Sequence, residues 1–179
     1  MVLLALDLAS KFGFAVGTPG GVIAHGSHQL PSTGCDIGAF LFRYESWLRA
    51  AIARWGVEEV VFESPVLPAQ TNIHTLRKLY SLCGLTELIC SNGRIPVSEA
   101  NLSHIRKHFV GVPRAPRTVP QAERRKWIKD ATITECRRRG FRPVDDNDAD
   151  SLALFSYTLA QKDRRFRMLG DEIPMQEAA

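Results

Sequence analysis

The chain has 179 residues, the size of one domain, and its 45% hydrophobic and 23% charged content is that of an ordinary globular protein. Its net charge of +4 and pI near 9.0 suit a protein that meets phosphate backbones, although basicity alone does not require it. No apolar run approaches a bilayer span and no basic leader precedes one. The four cysteines, at 35, 83, 90 and 136, include no CxxC pair. These features count against a membrane span, a disulfide framework and a zinc site, and predict a cytoplasmic protein with free thiols.

Residues 2 to 6 form a short apolar run that reads as a strand buried on both faces, with Asp7 at its end. A second strand over 12 to 17, turn residues Thr18-Pro19-Gly20-Gly21 and a third strand over 22 to 30 complete an antiparallel meander. From 39 to 55 the period becomes helical, with Phe40, Tyr44, Trp47, Leu48, Ala51, Ile52 and Trp55 on one face and Gly56 as C-cap. Residues 59 to 62 make another buried strand, ending at Glu63. A long helix follows over 73 to 92, then a short strand at Ile95-Pro96-Val97 and a basic helix over 102 to 110. A proline loop (112 to 120) leads to a charged helix over 121 to 139, closed by Gly140. The last helix runs from about Asp148 to about Arg165. The order predicts an α/β fold with a mixed sheet, three antiparallel strands and then parallel ones, flanked by helices. One domain over 1 to 168 and a frayed tail over 169 to 179 are expected.

Charge is distributed unevenly along the second half. Residues 104 to 142 carry twelve Arg or Lys against three acidic residues, and 145 to 150 then carry four Asp. A basic stretch beside an acidic one suits holding a polyanion with the first and metal with the second. Asp7 and Glu63 both end buried strands, where open α/β sheets place their sites, and neighbouring strands would set them on one rim. Phosphodiester hydrolysis by two divalent ions about 4 Å apart asks for a few converging carboxylates. Each acid also has a plainer role. Asp7 fits a turn, Glu63 an exposed loop, and the Asp cluster an N-cap with helix-dipole complement.

The ordered set of motifs resembles the RuvC-like Holliday junction resolvases of the ribonuclease-H-like superfamily. LALDLASKFGFAVG, VVFESP, NIHTLRKLYSLCGL (Asn72 to Leu85), HIRKHFVG (His104 to Gly111) and NDADSLALF (Asn147 to Phe155) follow that family's order over residues 1 to about 160. The resemblance implies a ribonuclease-H-like fold and a metal-dependent endonuclease acting on branched DNA. It implies catalytic carboxylates at Asp7, Glu63, Asp146 and Asp150, with Asp148 as a further metal ligand, and Mg²⁺ as cofactor with Mn²⁺ as substitute. Lys78, Arg106, Lys107, Arg114 and Arg117 are the expected DNA contacts, and a homodimer is the expected assembly. The helix over 73 to 92 is its interface, because Leu79, Tyr80, Leu82, Leu85 and Leu88 exceed one core stripe.

The chain departs from the family pattern in three places. Asn147 stands where members carry Asp or His, three residues before the last Asp. Asp146 shares a helical face with Asp150 and is favoured over Asp148 as the fourth carboxylate. Val66 and Leu67 follow Glu63 where some resolvases place an aromatic wedge, and Leu8-Ala9 replaces the frequent Pro-Gly, as in phage-like branches. Other functions fit parts of the pattern. Actin-like ATPases and sugar kinases also place Asp after the first strand, but need a second domain and a Gly-rich nucleotide motif that this chain lacks. A nuclease-like protein that grips DNA without cutting, favoured by Asn147, stays open, as does a nuclease acting on RNA or another DNA structure.

Overall fold

The computed structural model describes residues 1–32, 34, 36–65 and 72–162. Cys35, Val66, Leu67, the boundary at 168 and the tail over 169 to 179 lie outside them. Among the described residues no helix is long and apolar enough to cross a membrane.

The predicted meander forms from β1 (Leu3–Asp7), β2 (Lys11–Thr18) and β3 (Gly21–Gln29), paired antiparallel. Helix α1 (Ile37–Trp55) ends on Gly56 in the left-handed conformation, φ 61°. Strand β4 (Glu59–Glu63) then pairs parallel with β1, and after α2 (Ile73–Gly93) strand β5 (Val97–Ala100) pairs parallel with β4. The five-stranded sheet has the order β3-β2-β1-β4-β5. Among the described residues three helices follow: α3 (Leu102–Phe109), α4 (Arg124–Arg138) and α5 (Asp146–Lys162).

Three boundaries differ from the sequence expectation. The fifth strand runs later than Ile95-Pro96-Val97. Pro96 has no N–H for a ladder and only its carbonyl takes part, accepting from Val60 N at 3.0 Å, so register begins at Val97 opposite Val60. The charged helix is split, with a 3₁₀ turn over Gln121–Glu123 ahead of α4. The last helix begins at Asp146, two residues early, because the Asp145 carboxylate accepts from Asp148 N at 2.9 Å and so caps it.

Strand alternation divides the interior into two layers. Leu4, Leu6, Phe12, Val16, Val60 and Phe62 face α1 and α2. Leu3, Ala5, Ala15 and Val61 face the other way, against Ile105 and Phe109 of α3, Cys136 of α4 and Leu152, Ala153 and Phe155 of α5. The sheet is therefore covered on both faces, as the short apolar runs of β1 and β4 at its centre require.

Candidate active site

Period-two alternation decides where the strand-end acids point. Asp7 continues the row Leu3, Ala5, and Glu63 continues Val61, so both stand on the α5 face. The parallel register pairs Leu6 with Phe62 and carries Asp7 and Glu63 one residue further to a common level. Asp150 approaches from the second turn of α5, beside Ala149 and Leu152, which are buried against the sheet.

Gly13 permits this approach. It pairs with Asp7 across the β1–β2 ladder, and a Cβ there would lie 1.9 Å from the carbonyl oxygen of Asn147. Any side chain at 13 would lift the start of α5 off the sheet beside Asp7.

The electrostatics join the three acids into one group. Burial pushes the Asp7 carboxyl well above its ordinary range, and the charges of Asp150 and Glu63 push it further. Glu63 is raised to about 7, first by burial and then by Asp150. Asp150 is also raised, by burial. Like charges held together in a partly enclosed site disfavour ionisation. Two cations oppose this: Arg106 of α3 acts on all three carboxylates, and Lys129 of α4 on Asp7 and Asp150. The Arg106 Nε is buried without a hydrogen-bond partner.

The structure gives the remaining aspartates other neighbours. Asp148, fully buried, is not brought to the trio. Its Oδ1 lies 2.9 Å from His25 Nδ1 on β3, and its Oδ2 accepts from Val144 N at 2.9 Å. Asp145 accepts from Ser27 Oγ at 2.6 Å and pairs with Lys11 at 2.6 Å. Asp146 pairs with Lys129.

The expected DNA contacts separate in the same way. Lys107, Arg114 and Arg117 are exposed. Arg106 is turned inward to the carboxylates, one helical step from Lys107. Lys78 lies with its ammonium 4.9 Å from the centre of the Phe40 ring. Sequence reasoning missed Lys129, which the density of charge over 121 to 139 conceals. The available signal was periodicity, since Lys129 stands three and seven residues before Thr132 and Cys136, both buried. His25 was missed as well, because its partner lies 123 residues away.

Three carboxylates set against one another are hard oxygen donors of the kind Mg²⁺ and Mn²⁺ take. Their chemistry fits such an ion, although among the described residues no three His, Cys, Asp or Glu side chains are gathered tightly enough to hold one as they stand.

The five-stranded mixed sheet flanked by helices is a ribonuclease-H-like fold. Solved structures with a similar fold include Thermus thermophilus RuvC in complex with Holliday junction substrate, at TM-score 0.67 and 12% identity over 90% of this chain and 96% of that one. A second Thermus thermophilus RuvC structure matches at TM-score 0.64 and 15% identity, with the same coverage. The yeast mitochondrial Holliday junction resolvase matches at TM-score 0.59 and 10% identity over 93% of this chain and 83% of that one. The chain therefore has the RuvC-like fold. No family model and no curated protein matches it in sequence.

Proposed function

We propose that this chain is a divalent-cation-dependent endonuclease that cleaves phosphodiester bonds in branched DNA such as Holliday junctions. The observation that carries this reading is the meeting of Asp7, Glu63 and Asp150 at one rim of a RuvC-like sheet. Two of the solved structures with this fold, Thermus thermophilus RuvC bound to a Holliday junction and the yeast mitochondrial Holliday junction resolvase, support the substrate class.

Asp7, Glu63 and Asp150 would hold Mg²⁺, with Mn²⁺ as substitute. A bound divalent ion supplies the charge that activates water and stabilises the leaving oxygen. The chain's own residues do the rest. Arg106 balances the carboxylates from α3, and Gly13 lets α5 sit close enough to bring Asp150 in. Lys107 in the last turn of α3, with Arg114 and Arg117 in the segment that leads to α4, are all exposed and supply sequence-independent phosphate contacts.

A second copy of the chain would match the two-fold symmetry of a four-way junction and place two sites at once. Helix α2 supports this assembly: Leu82 is buried in the core, but Ile73, Tyr80 and Leu88 are 68%, 48% and 56% exposed. They stand seven and eight residues apart, on one outer stripe. Light scattering with and without junction DNA reads the assembly.

Incubation with synthetic four-way junction, fork, duplex and RNA–DNA hybrid, each with Mg²⁺, Mn²⁺ or EDTA, tests the function. Junction cleavage that requires the divalent ion is expected. Tight junction binding with no cleavage under any condition would favour the non-cutting alternative, for which the neutral Asn147 speaks. Preferred cleavage of the hybrid would move the substrate to RNA.

A further inference from the structure

Lys129 stands where α4 meets the acidic head of α5. Its ammonium pairs with Asp146, and both side chains are 31% exposed, so the pair is half-buried at the edge of the site. Asp146 precedes Asp150 by four residues on α5, so the ammonium stands on the same face of that helix as Asp150, and its charge opposes the upward shifts of Asp7 and Asp150. It also lines an open cavity of about 580 Å³ with Arg125, Asp145 and Asp146, so a phosphate group could approach it from solvent.

The acids that could serve a second divalent ion beside Asp7 are all otherwise engaged. Asp146 is neutralised by Lys129, and Asp148 is closed by His25 and Val144. Asp145 is closed by Lys11, Ser27 and the Asp148 backbone. Asn147 brings a neutral amide. An ammonium fixed on Asp146, one helical turn from Asp150, repels another cation there while leaving Glu63 to share in holding the first.

We propose that Lys129, anchored by Asp146, takes the place beside Asp7 that a second metal ion takes in a two-metal centre, so that each chain binds one divalent cation. Lys129 is a positioning residue here. It supplies one permanent positive charge without metal and holds Asp146 away from the ion. The proposal rests on the nuclease reading for its purpose, but the number of ions is read without DNA and without turnover.

Isothermal titration calorimetry of the full chain with Mn²⁺, free of DNA, is the test. One ion per chain is expected for wild type and for Lys129→Arg, which keeps the charge. Two are expected for Lys129→Met, where Asp146 is released. The double variant Lys129→Met with Asp146→Asn should return to one, since the released ligand is gone. Thermal unfolding of each variant checks its folding. Two ions of comparable affinity in wild type would overturn the proposal, as would a folded Lys129→Met that still binds one. Should Lys129→Met not fold, the wild-type count decides alone. A wild type that binds no Mn²⁺ overturns it as well. Junction cleavage, scored separately in Mg²⁺ and in EDTA, shows whether the nuclease reading falls or stands.

Discussion

Asp145 and Asp148 lie on the side of the α5 head that faces β2 and β3, whereas Asp146 and Asp150 lie on the side that faces α4 and the ends of β1 and β4. On the first side every acid meets donors. Asp145 accepts from Ser27, Lys11 and the Asp148 backbone, and these hold its carboxyl below the ordinary range against the opposing effect of burial. Asp148 is closed by His25 and Val144. On the second side Asp146 pairs with Lys129, but Asp150 meets Asp7 and Glu63, and burial among them drives these three upward. Within six residues, Asp145 and Asp148 on one helical face and Asp150 on the other thus do two jobs, while Asp146 pairs with Lys129 of α4. Satisfied acids fasten the helix to the meander. Acids left facing one another are the ones proposed to hold a cation.

Substitutions on the two sides should therefore behave differently. The largest effect is expected from Asp7→Asn, which keeps shape and removes charge. Divalent-dependent junction cleavage should fall by more than about a hundredfold, beyond the roughly 10–100-fold typical of losing an outer-shell partner. Folding and DNA binding should be nearly unchanged. Wild-type turnover in a cleavage time course would remove Asp7 from the site.

On the fastening side the losses should appear as stability. Gly13→Ala forces a methyl group into the Asn147 carbonyl, and overpacking against backbone should cost at least about 1–3 kcal/mol. Asp148→Ala strands the Val144 N–H and the His25 ring, a penalty of about 1–3 kcal/mol. Urea denaturation measures both, and an unchanged midpoint in either would break the division between the two sides.

A pH titration sharpens the same contrast. Glu63 has a folded value near 7 against an ordinary 4.5, so its protonated form is the one the fold prefers. The stability this contributes is complete below about 4.5 and is lost as pH climbs through about 7. Asp7 and Asp150 shift in the same direction. Metal-free wild type should lose melting temperature from pH 5 to pH 8, Glu63→Gln should lose less, and Mg²⁺ at pH 8 should restore the wild type. Parallel pH profiles for the two proteins would contradict the raised value.

The smallest effect belongs to the DNA contacts. Lys107→Ala should weaken binding to all sequences alike and lower the slope of log affinity against log salt by about one unit. An unchanged slope would mean that this exposed lysine faces away from DNA.

Much of this arrangement is legible along the chain, and the rest is not, for physical reasons. Asp7 and Glu63 each close a short apolar run, and burial on both faces makes such runs conspicuous, so their positions at strand ends can be read directly. The fifth strand was harder to place, because Ser98, Glu99 and Ala100 carry no strand preference and pair only because β4 offers its edge. The split of the Asp cluster is partly readable, since helical spacing groups Asp146 with Asp150. The partners of Asp145 and Asp148 are not, because Lys11, Ser27 and His25 arrive from strands more than a hundred residues earlier. Arg106 and Lys107 look alike in sequence, and only the packing of α3 against α5 turns the first to the carboxylates and leaves the second exposed.

The most direct measurement compares Asp150→Asn with Asp148→Asn in cleavage of a synthetic four-way junction, with Mg²⁺ and with EDTA, after both variants are shown to be folded. These side chains stand two residues apart on opposite sides of the helix. Asp150→Asn should cut nothing, and Asp148→Asn should cut as wild type does per folded molecule, only with Mg²⁺. Equal loss in both variants, or cleavage that survives EDTA, would contradict the assignment of Asp7, Glu63 and Asp150 as the cation-holding centre.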